Sequence, residues 1–325
     1  MDHLPHLPET AVMPPSEPSA RSLLRAWLFL ILLSARRQAR ARLMVWVALG
    51  LLAFVFFVVW INTQNERWSM SHWRAPRRTG PTYAELVQSV EALGYLPWDV
   101  GARSAQQLAS AAYHAAVFHG SGFFVFSNWM VFSVFATFLL PLWTLSFATE
   151  GLGREREDGN LVWLLSRPVP RWAIYLGKFL ALLPWCLVLN VGGFAALCWA
   201  AGPPGMLALR LYWPAVFGTT VALAALFHLL AAWLQRPAVA AILYSFFLET
   251  VVGNLPQNFK RLSISFYGRC LMFESAHDFG IRPERPSIYV PVSGATAWWV
   301  LASLTAAFLL VGLVIFCRRE YAETA

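Results

Sequence analysis

Residues 43–61 read LMVWVALGLLAFVFFVVWI, an apolar run without a charged side chain. A helix rises ~1.5 Å per residue, so about 20 such residues cross the ~30 Å hydrocarbon core of a bilayer. We therefore predict a transmembrane helix here. Five further runs are long enough to span a membrane: residues 123–148, 179–202, 211–234, 238–255 and 295–317.

The composition excludes an ordinary soluble domain. Hydrophobic residues make up 58% of the 325 residues and charged residues only 13%, against about 25% charged in soluble domains. The mean hydropathy is +0.53. The formal net charge of +8 comes mostly from arginines scattered between apolar runs, which does not favour nucleic-acid binding. We predict an all-α polytopic membrane protein with six transmembrane helices.

Basic residues predict the orientation. Six spans put both termini on one side, together with the arginines before the first run, five basic residues between Arg154 and Lys178, and the pair Arg318 and Arg319. Lys and Arg are enriched in cytoplasmic loops, so we expect both termini in the cytoplasm, with the chain in the cell (inner) membrane. The two long loops on the opposite side also carry basic residues, but long translocated segments weaken this rule.

The rest of the chain divides into a tail, a transmembrane domain and two external loops. Residues 1–20 hold five prolines and predict a disordered tail, so the folded domain covers 21–325. Residues 23–33 predict an N-terminal interfacial helix. The first external loop, 62–122, holds two capping-box patterns, at 82–85 and 104–107, which predict short helices. In the second, 256–294, the alternating residues 262–266 fit either a strand or a segment dipping into the interface.

No catalytic or metal-binding pattern occurs in the sequence. Lys178 follows Gly177, but Phe179 comes next and the earlier P-loop glycine is missing, so this is not an ATP-binding P-loop. HExxH, GxSxG and CxxC patterns are absent from the sequence. We therefore predict no catalytic residue, no metal site and no cofactor, and expect that the chain is not an enzyme.

Two polar residues fall inside the predicted spans. His228 lies in the fourth run, where we predict a packing role through a hydrogen bond to a neighbouring span. Glu249 interrupts the fifth run six residues before its end, or ~9 Å inside the membrane by helical rise. A carboxyl group at that depth needs a partner. It fits either a structural hydrogen bond or a site for a substrate or proton.

The predicted cytoplasmic loop 149–178 contains GREREDGNLVWLLSRPVPRWAIYLGK at 153–178. Gly159 can end one helix and Asn160 can cap the next, whose face would carry three leucines. The prolines at 168 and 170 stop this short helix, and Trp172, Ile174, Tyr175 and Leu176 predict an amphipathic helix that enters the interface. The residues alone fit two interpretations equally: a loop lying on headgroups, or a docking helix for a soluble partner.

This stretch resembles the first cytoplasmic loop of permease subunits of type-two ABC exporters. That loop has an acidic helix end, a glycine, a leucine-rich turn, a Ser-Arg-Pro-Val-x-Arg element and a Gly-Lys pair before the third span. The match is specific over about 25 residues, and six spans extend it loosely over 21–325. The matching residues are Glu155, Glu157, Asp158, Gly159, Leu161, Leu164, Leu165, Ser166, Arg167, Pro168, Val169, Arg171, Gly177 and Lys178.

The resemblance implies a function and partners. It implies the permease subunit of an ATP-driven exporter, coupled through this loop to separate ABC ATPase subunits, in a homodimer or heterodimer with a second six-span permease. The implied ATPase-coupling residues are Glu155, Glu157, Asp158, Gly159, Leu161, Leu164, Leu165, Arg167, Pro168 and Arg171. Two alternatives are an ion-coupled secondary transporter or channel that uses Glu249, and a membrane scaffold that transports nothing. The sequence does not identify a substrate.

Overall fold

The computed structural model describes residues 27–29, 31–35, 42–65, 68, 122–157, 169–234, 237–245, 247, 257–279, 281 and 291–319. These residues are helical or lie in short connections, and they contain no strand. The all-α prediction is thus confirmed for the described part of the chain. The predicted tail 1–20, residues 69–121 of the first external loop with both capping boxes, and Glu249 lie outside it.

We number seven helices in chain order. They are α1 (Arg42–Gln64), α2 (Gly122–Val125, the π-helical Phe126–Leu139 and Leu140–Glu157), α3 (Arg171–Leu187, the π-helical Val188–Gly192 and Gly193–Ala200), α4 (Pro203–Trp233), α5 (Pro237–Tyr244), α6 (Ile264–Ser275) and α7 (Gly294–Arg318). Two 3-10 helices, Gln257–Leu262 and His277–Phe279, flank α6.

Within the described part of the chain, five helices are long and apolar enough to cross a membrane. Their candidate spans are Trp46–Gln64, Gly122–Gly153, Arg171–Ala200, Pro203–Trp233 and Gly294–Arg318. These correspond to the first, second, third, fourth and sixth predicted runs. The fifth run, 238–255, is described only through α5 and residues 245 and 247. The sixth span is therefore not confirmed.

Helix ends differ from the predicted boundaries around the cytoplasmic loop. α2 continues to Glu157, nine residues beyond the end of the apolar run, because charged residues are good helix formers once they leave the hydrocarbon. α3 begins at Arg171, directly after Pro170, eight residues before the predicted span. The connection between the two helices is thus 158–170, much shorter than the predicted loop 149–178.

α4 occupies the centre of the bundle. In its most apolar window 83% of the residues are buried, against 17% in α1 and in α7. It packs against α2, α3, α5, α6 and α7. Small side chains allow this close packing of helices in a membrane. The buried alanines of α4 are Ala208, Ala215, Ala222, Ala224, Ala225, Ala231 and Ala232.

The first half of α2 is a π-helix of 14 residues, Phe126–Leu139. Its backbone hydrogen bonds join residues five apart, as where the Leu140 N–H donates to the Phe135 carbonyl. The side-chain hydroxyl of Thr137 also donates five residues back, to the Phe132 carbonyl at 2.7 Å. Most π-helices are single-turn bulges, often at functional sites. A run of this length makes α2 wider at the end where it begins than at the end where it reaches Glu157.

The strand alternative for residues 262–266 is wrong. The Ser263 hydroxyl oxygen caps α6 by accepting from the Phe266 N–H at 3.2 Å, and every residue from Ile264 to Met272 is buried. α6 packs against α4, α7 and the π-helical part of α2. A helix buried on all sides does not need one apolar face, so the alternation of serines with Leu, Ile and Phe did not indicate a strand.

The N-terminal segment runs beside α3. Residues 27–29 and 31–35 are helical. The Trp27 indole donates to the Ala173 carbonyl at 2.8 Å, and the Ala35 carbonyl accepts from the Trp185 indole at 3.1 Å. These hydrogen bonds attach the segment to α3. Its placement at the membrane interface stays a prediction.

Candidate coupling end of the helix bundle

Several helix ends meet at one end of the bundle, which we call the loop end because the 158–170 connection lies there. α2 and α4 end here, and α3 begins here. The Pro237 ring at the start of α5 packs on Gly153 of α2, and α7 ends near Arg171. The opposite end, where α3 turns into α4 at Gly202 with φ of 73°, we call the far end.

Two arginines hold helix C-termini together at the loop end. The Arg171 guanidinium of α3 donates to the carbonyls of Cys317 and Arg319 at 3.2 and 3.3 Å. Arg319 in turn donates to the Trp233 carbonyl at the end of α4. The last carbonyls of a helix lack partners within it and carry partial negative charge. These two cations therefore connect the ends of α3, α7 and α4.

A compact apolar cluster lies beneath these arginines. It contains Leu152 of α2, Ile174 and Tyr175 of α3, Ala231 and Ala232 of α4, and Phe316 of α7. The sequence predicted that Ile174 and Tyr175 enter the membrane interface, and this is wrong, because both are fully buried. Trp172, which is exposed, and Leu176, which is half-buried, remain candidates for the interface. The first turns of α3 therefore belong to the bundle.

Tyr175 and His228 form the polar centre of this cluster. Their rings are 4.4 Å apart, and the His228 Nε2 lies 3.2 Å from the Tyr175 carbonyl oxygen. Because a carbonyl only accepts, Nε2 carries the proton and donates. His228 is fully buried, and its Nδ1 has no hydrogen-bond partner among the described residues. The bond joins α4 to the first turns of α3.

α7 approaches this pair through a glycine. A Cβ atom on Gly312 would lie 2.8 Å from the Tyr175 Cζ, closer still to the Tyr175 hydroxyl, and 3.4 Å from the Leu229 Cα. A side chain at this position would therefore require the Tyr175 ring to move. Lys178, one turn further along α3, is also buried. The loop end thus combines tight packing with several polar groups in a small volume.

The predicted ATPase-coupling residues fall into three groups. Glu155 and Glu157 lie in the last turns of α2. Arg171 contacts the end of α7, a role that sequence reasoning did not foresee. The remaining residues lie outside the described part of the chain: Asp158, Gly159, Leu161, Leu164, Leu165, Arg167 and Pro168. The leucine face consequently stays a prediction, whereas both helices that flank it are described.

A second polar group that sequence reasoning missed lies in the middle of the bundle. The Asn190 amide donates to the Thr144 hydroxyl at 2.9 Å and to the Cys186 carbonyl at 3.0 Å. Asn190 lies in the π-helical turn of α3 and is fully buried. An asparagine inside an apolar run was the available signal. This bond fixes α3 to α2 between the two ends.

The described residues contain no group of His, Cys, Asp or Glu that would hold a metal ion. No curated protein matches the chain. A family model described as ABC-2 family transporter protein matches residues 33–255, which is more than half of the chain. The matched range includes the first four candidate spans and the whole connection between α2 and α3. Together with its apolar helices, this match shows that the chain belongs to the ABC-2 transporter family and is a multi-pass membrane permease of an ABC transporter.

Proposed function

We propose that the chain is the permease subunit of an ATP-driven exporter and that separate ABC ATPase subunits drive it through the connection between α2 and α3. Family membership supports an ATPase partner. The P-loop pattern is absent from the sequence, so ATP hydrolysis belongs to that partner in this proposal. The permease works as a homodimer or heterodimer with a second six-span chain.

The proposal rests on one observation, the packing of the α2 and α3 residues on both sides of the connection. α2 leads into it and α3 leads out of it, and their loop-end residues share one apolar cluster with α4 and α7. A force applied to residues 158–168 therefore acts on four helices at once. Cores as closely packed as this one rearrange between discrete states and do not deform gradually. ATPase closure would in this way change the arrangement of the spans.

The proposed orientation places the loop end in the cytoplasm. Arg171, Arg318 and Arg319 lie at this end, next to short connections, where the positive-inside rule applies most strongly. Six spans then put both termini in the cytoplasm of a cell with an inner membrane. A reporter enzyme that is active only outside the cytoplasm should be inactive when fused after Ala325, and an active fusion would refute the orientation.

The direct test changes the predicted leucine face. Replacing Leu161, Leu164 and Leu165 with serine should leave membrane insertion intact and abolish co-purification of the ATPase subunit and ATP-driven transport, because these leucines have no core of their own to enter. A suitable control is Leu262→Ser, an exposed leucine outside this connection. Full ATPase association and transport in the triple variant would contradict the proposal.

A further inference from the structure

A cavity of about 300 Å³ opens between α4, α6 and α7 at the far end of the bundle. Its walls include Leu211 and Pro214 of α4, Leu271 and Glu274 of α6, and Trp298 of α7. Trp298 is 41% exposed, so the cavity is not sealed. A volume of ~300 Å³ is at the lower limit for a ligand pocket, and such pockets typically combine apolar walls with a few polar groups. This cavity has both.

The helix lengths place the cavity near the membrane surface. α4 has 31 residues and is therefore ~46 Å long, which exceeds the ~30 Å hydrocarbon core. Measured from Trp233 at the loop end, about 20 residues cross that core, so Leu211 and Pro214 lie at its boundary. Trp298 is four residues into α7, or ~6 Å from its start. The exposed indoles of Trp298 and Trp299 fit the aromatic belt at this depth.

Glu274 supplies a negative charge to the cavity wall. It is the sole carboxylate whose side chain the structure describes. Its Oε2 accepts from the Gly294 N–H at the start of α7, which fixes the carboxylate at the cavity. Its Oε1 has no hydrogen bond to any described residue, and Glu274 forms no ion pair with them. The side chain is exposed, so this oxygen is available to a ligand.

Arg210 supplies the opposite charge. It precedes Pro214 by four residues and therefore lies on the same side of α4, one turn nearer to the far end. Arg210 is exposed and forms no ion pair with a described side chain. The cavity thus has an anion in its wall and a cation one helical turn beyond it on α4, and the two form no ion pair with each other. Both signs of charge above apolar walls match a zwitterion that carries apolar chains.

We propose that this cavity binds the headgroup of a zwitterionic phospholipid from the adjacent leaflet. The ammonium group lies between the Glu274 carboxylate and the Trp298 ring, where carboxylate and indole both attract cations. The phosphate faces the Arg210 guanidinium, and the acyl chains leave through the open side along α4 and α7. This site goes beyond the proposed function, since it requires neither the ATPase nor the cytoplasmic connection.

Lipid retention on the purified full chain tests the proposal. Native mass spectrometry of the detergent-solubilised protein would compare phosphatidylethanolamine with phosphatidylglycerol and with a diacyl trimethylammonium lipid, all with the same acyl chains. The zwitterionic lipid should bind about two- to fivefold more tightly than each single-charge lipid, because exposed ion pairs contribute up to ~1 kcal/mol each.

Two variants and a control separate the roles of the charges. Glu274→Gln keeps an acceptor for the Gly294 N–H but removes the charge, so it should abolish the preference over phosphatidylglycerol. Arg210→Gln should abolish the preference over the cationic lipid. Arg261→Gln, at an exposed arginine outside the cavity, should change neither preference. Equal retention of the three lipids by the unmodified chain, or unchanged preferences in both cavity variants, would overturn the proposal.

Discussion

Gly312→Ala should loosen the loop end, because it adds a methyl group to the most tightly packed contact there. The new Cβ would lie 2.8 Å from the Tyr175 Cζ and nearer to its hydroxyl. Tyr175 cannot easily move away, since the His228 and Phe316 rings lie 4.4 and 5.7 Å from its own ring. Overpacking of this kind costs about 1–3 kcal/mol, offset by about 1 kcal/mol from the higher helix propensity of alanine.

A matched control isolates the steric cost. Gly50 lies in α1, and a Cβ there would meet nothing within 4 Å. Gly50→Ala therefore gains helix propensity without a clash. The difference in free energy of unfolding between the two variants should be about 1–3 kcal/mol, measured by unfolding of the purified protein in mixed micelles. Equal stability of the two variants would refute the packing argument.

The steric clash in Gly312→Ala should involve mainly the Tyr175 hydroxyl group. Tyr175→Phe removes the hydroxyl that the new methyl group would meet, so the double variant should recover part of the stability lost in Gly312→Ala. This is a double-mutant cycle, in which residues in contact couple by about 0.5–3 kcal/mol. Strictly additive effects would show that Gly312 and Tyr175 do not share this contact.

Three further predictions concern other polar residues. Thr144→Val should lower the free energy of unfolding by about 0.6–1.7 kcal/mol, because it removes the hydrogen bond from the Asn190 amide. Thr220→Val, whose hydroxyl donates to a carbonyl of its own helix α4, should lower it by less. Equal losses in the two variants would contradict the stabilising role given to Asn190. Arg171→Gln should lower the stability by about 0.5–1 kcal/mol and reduce transport more than ATPase binding, and unchanged transport would contradict this. Glu249→Gln should keep yield and the pH profile of transport, because an amide still forms a structural hydrogen bond; a shifted profile would favour the ion-coupled alternative.

Apolar runs predict the spans well, because the hydrocarbon core requires about 20 apolar residues in a helix. The helix ends could not be predicted in the same way. α2 extends to Glu157 and α3 starts at Arg171, since helices continue into water as long as their residues favour the helical state. Hydropathy shows which residues enter the hydrocarbon core, but it gives no information about the residue at which a helix ends.

The contacts of the loop end were only partly accessible to sequence reasoning. Leucines spaced on one face and two prolines indicated a short helix in the connection, but nothing in that pattern reveals that Arg171 caps α7 or that Gly312 makes room for Tyr175. These contacts join residues more than 130 positions apart. Such pairs depend on how the helices are arranged, and local periodicity carries no information about that arrangement.

The central claim is that a separate ATPase drives this chain through its loop end. The most direct measurement is purification of the tagged full chain from its native membrane in a mild detergent, followed by identification of its partners and assay of ATP hydrolysis. A subunit with a P-loop should co-purify in stoichiometric amount with the unmodified chain and be lost from the Leu161, Leu164 and Leu165 triple serine variant. Co-purification of no such subunit, together with transport that follows a proton gradient and needs no ATP, would contradict the account.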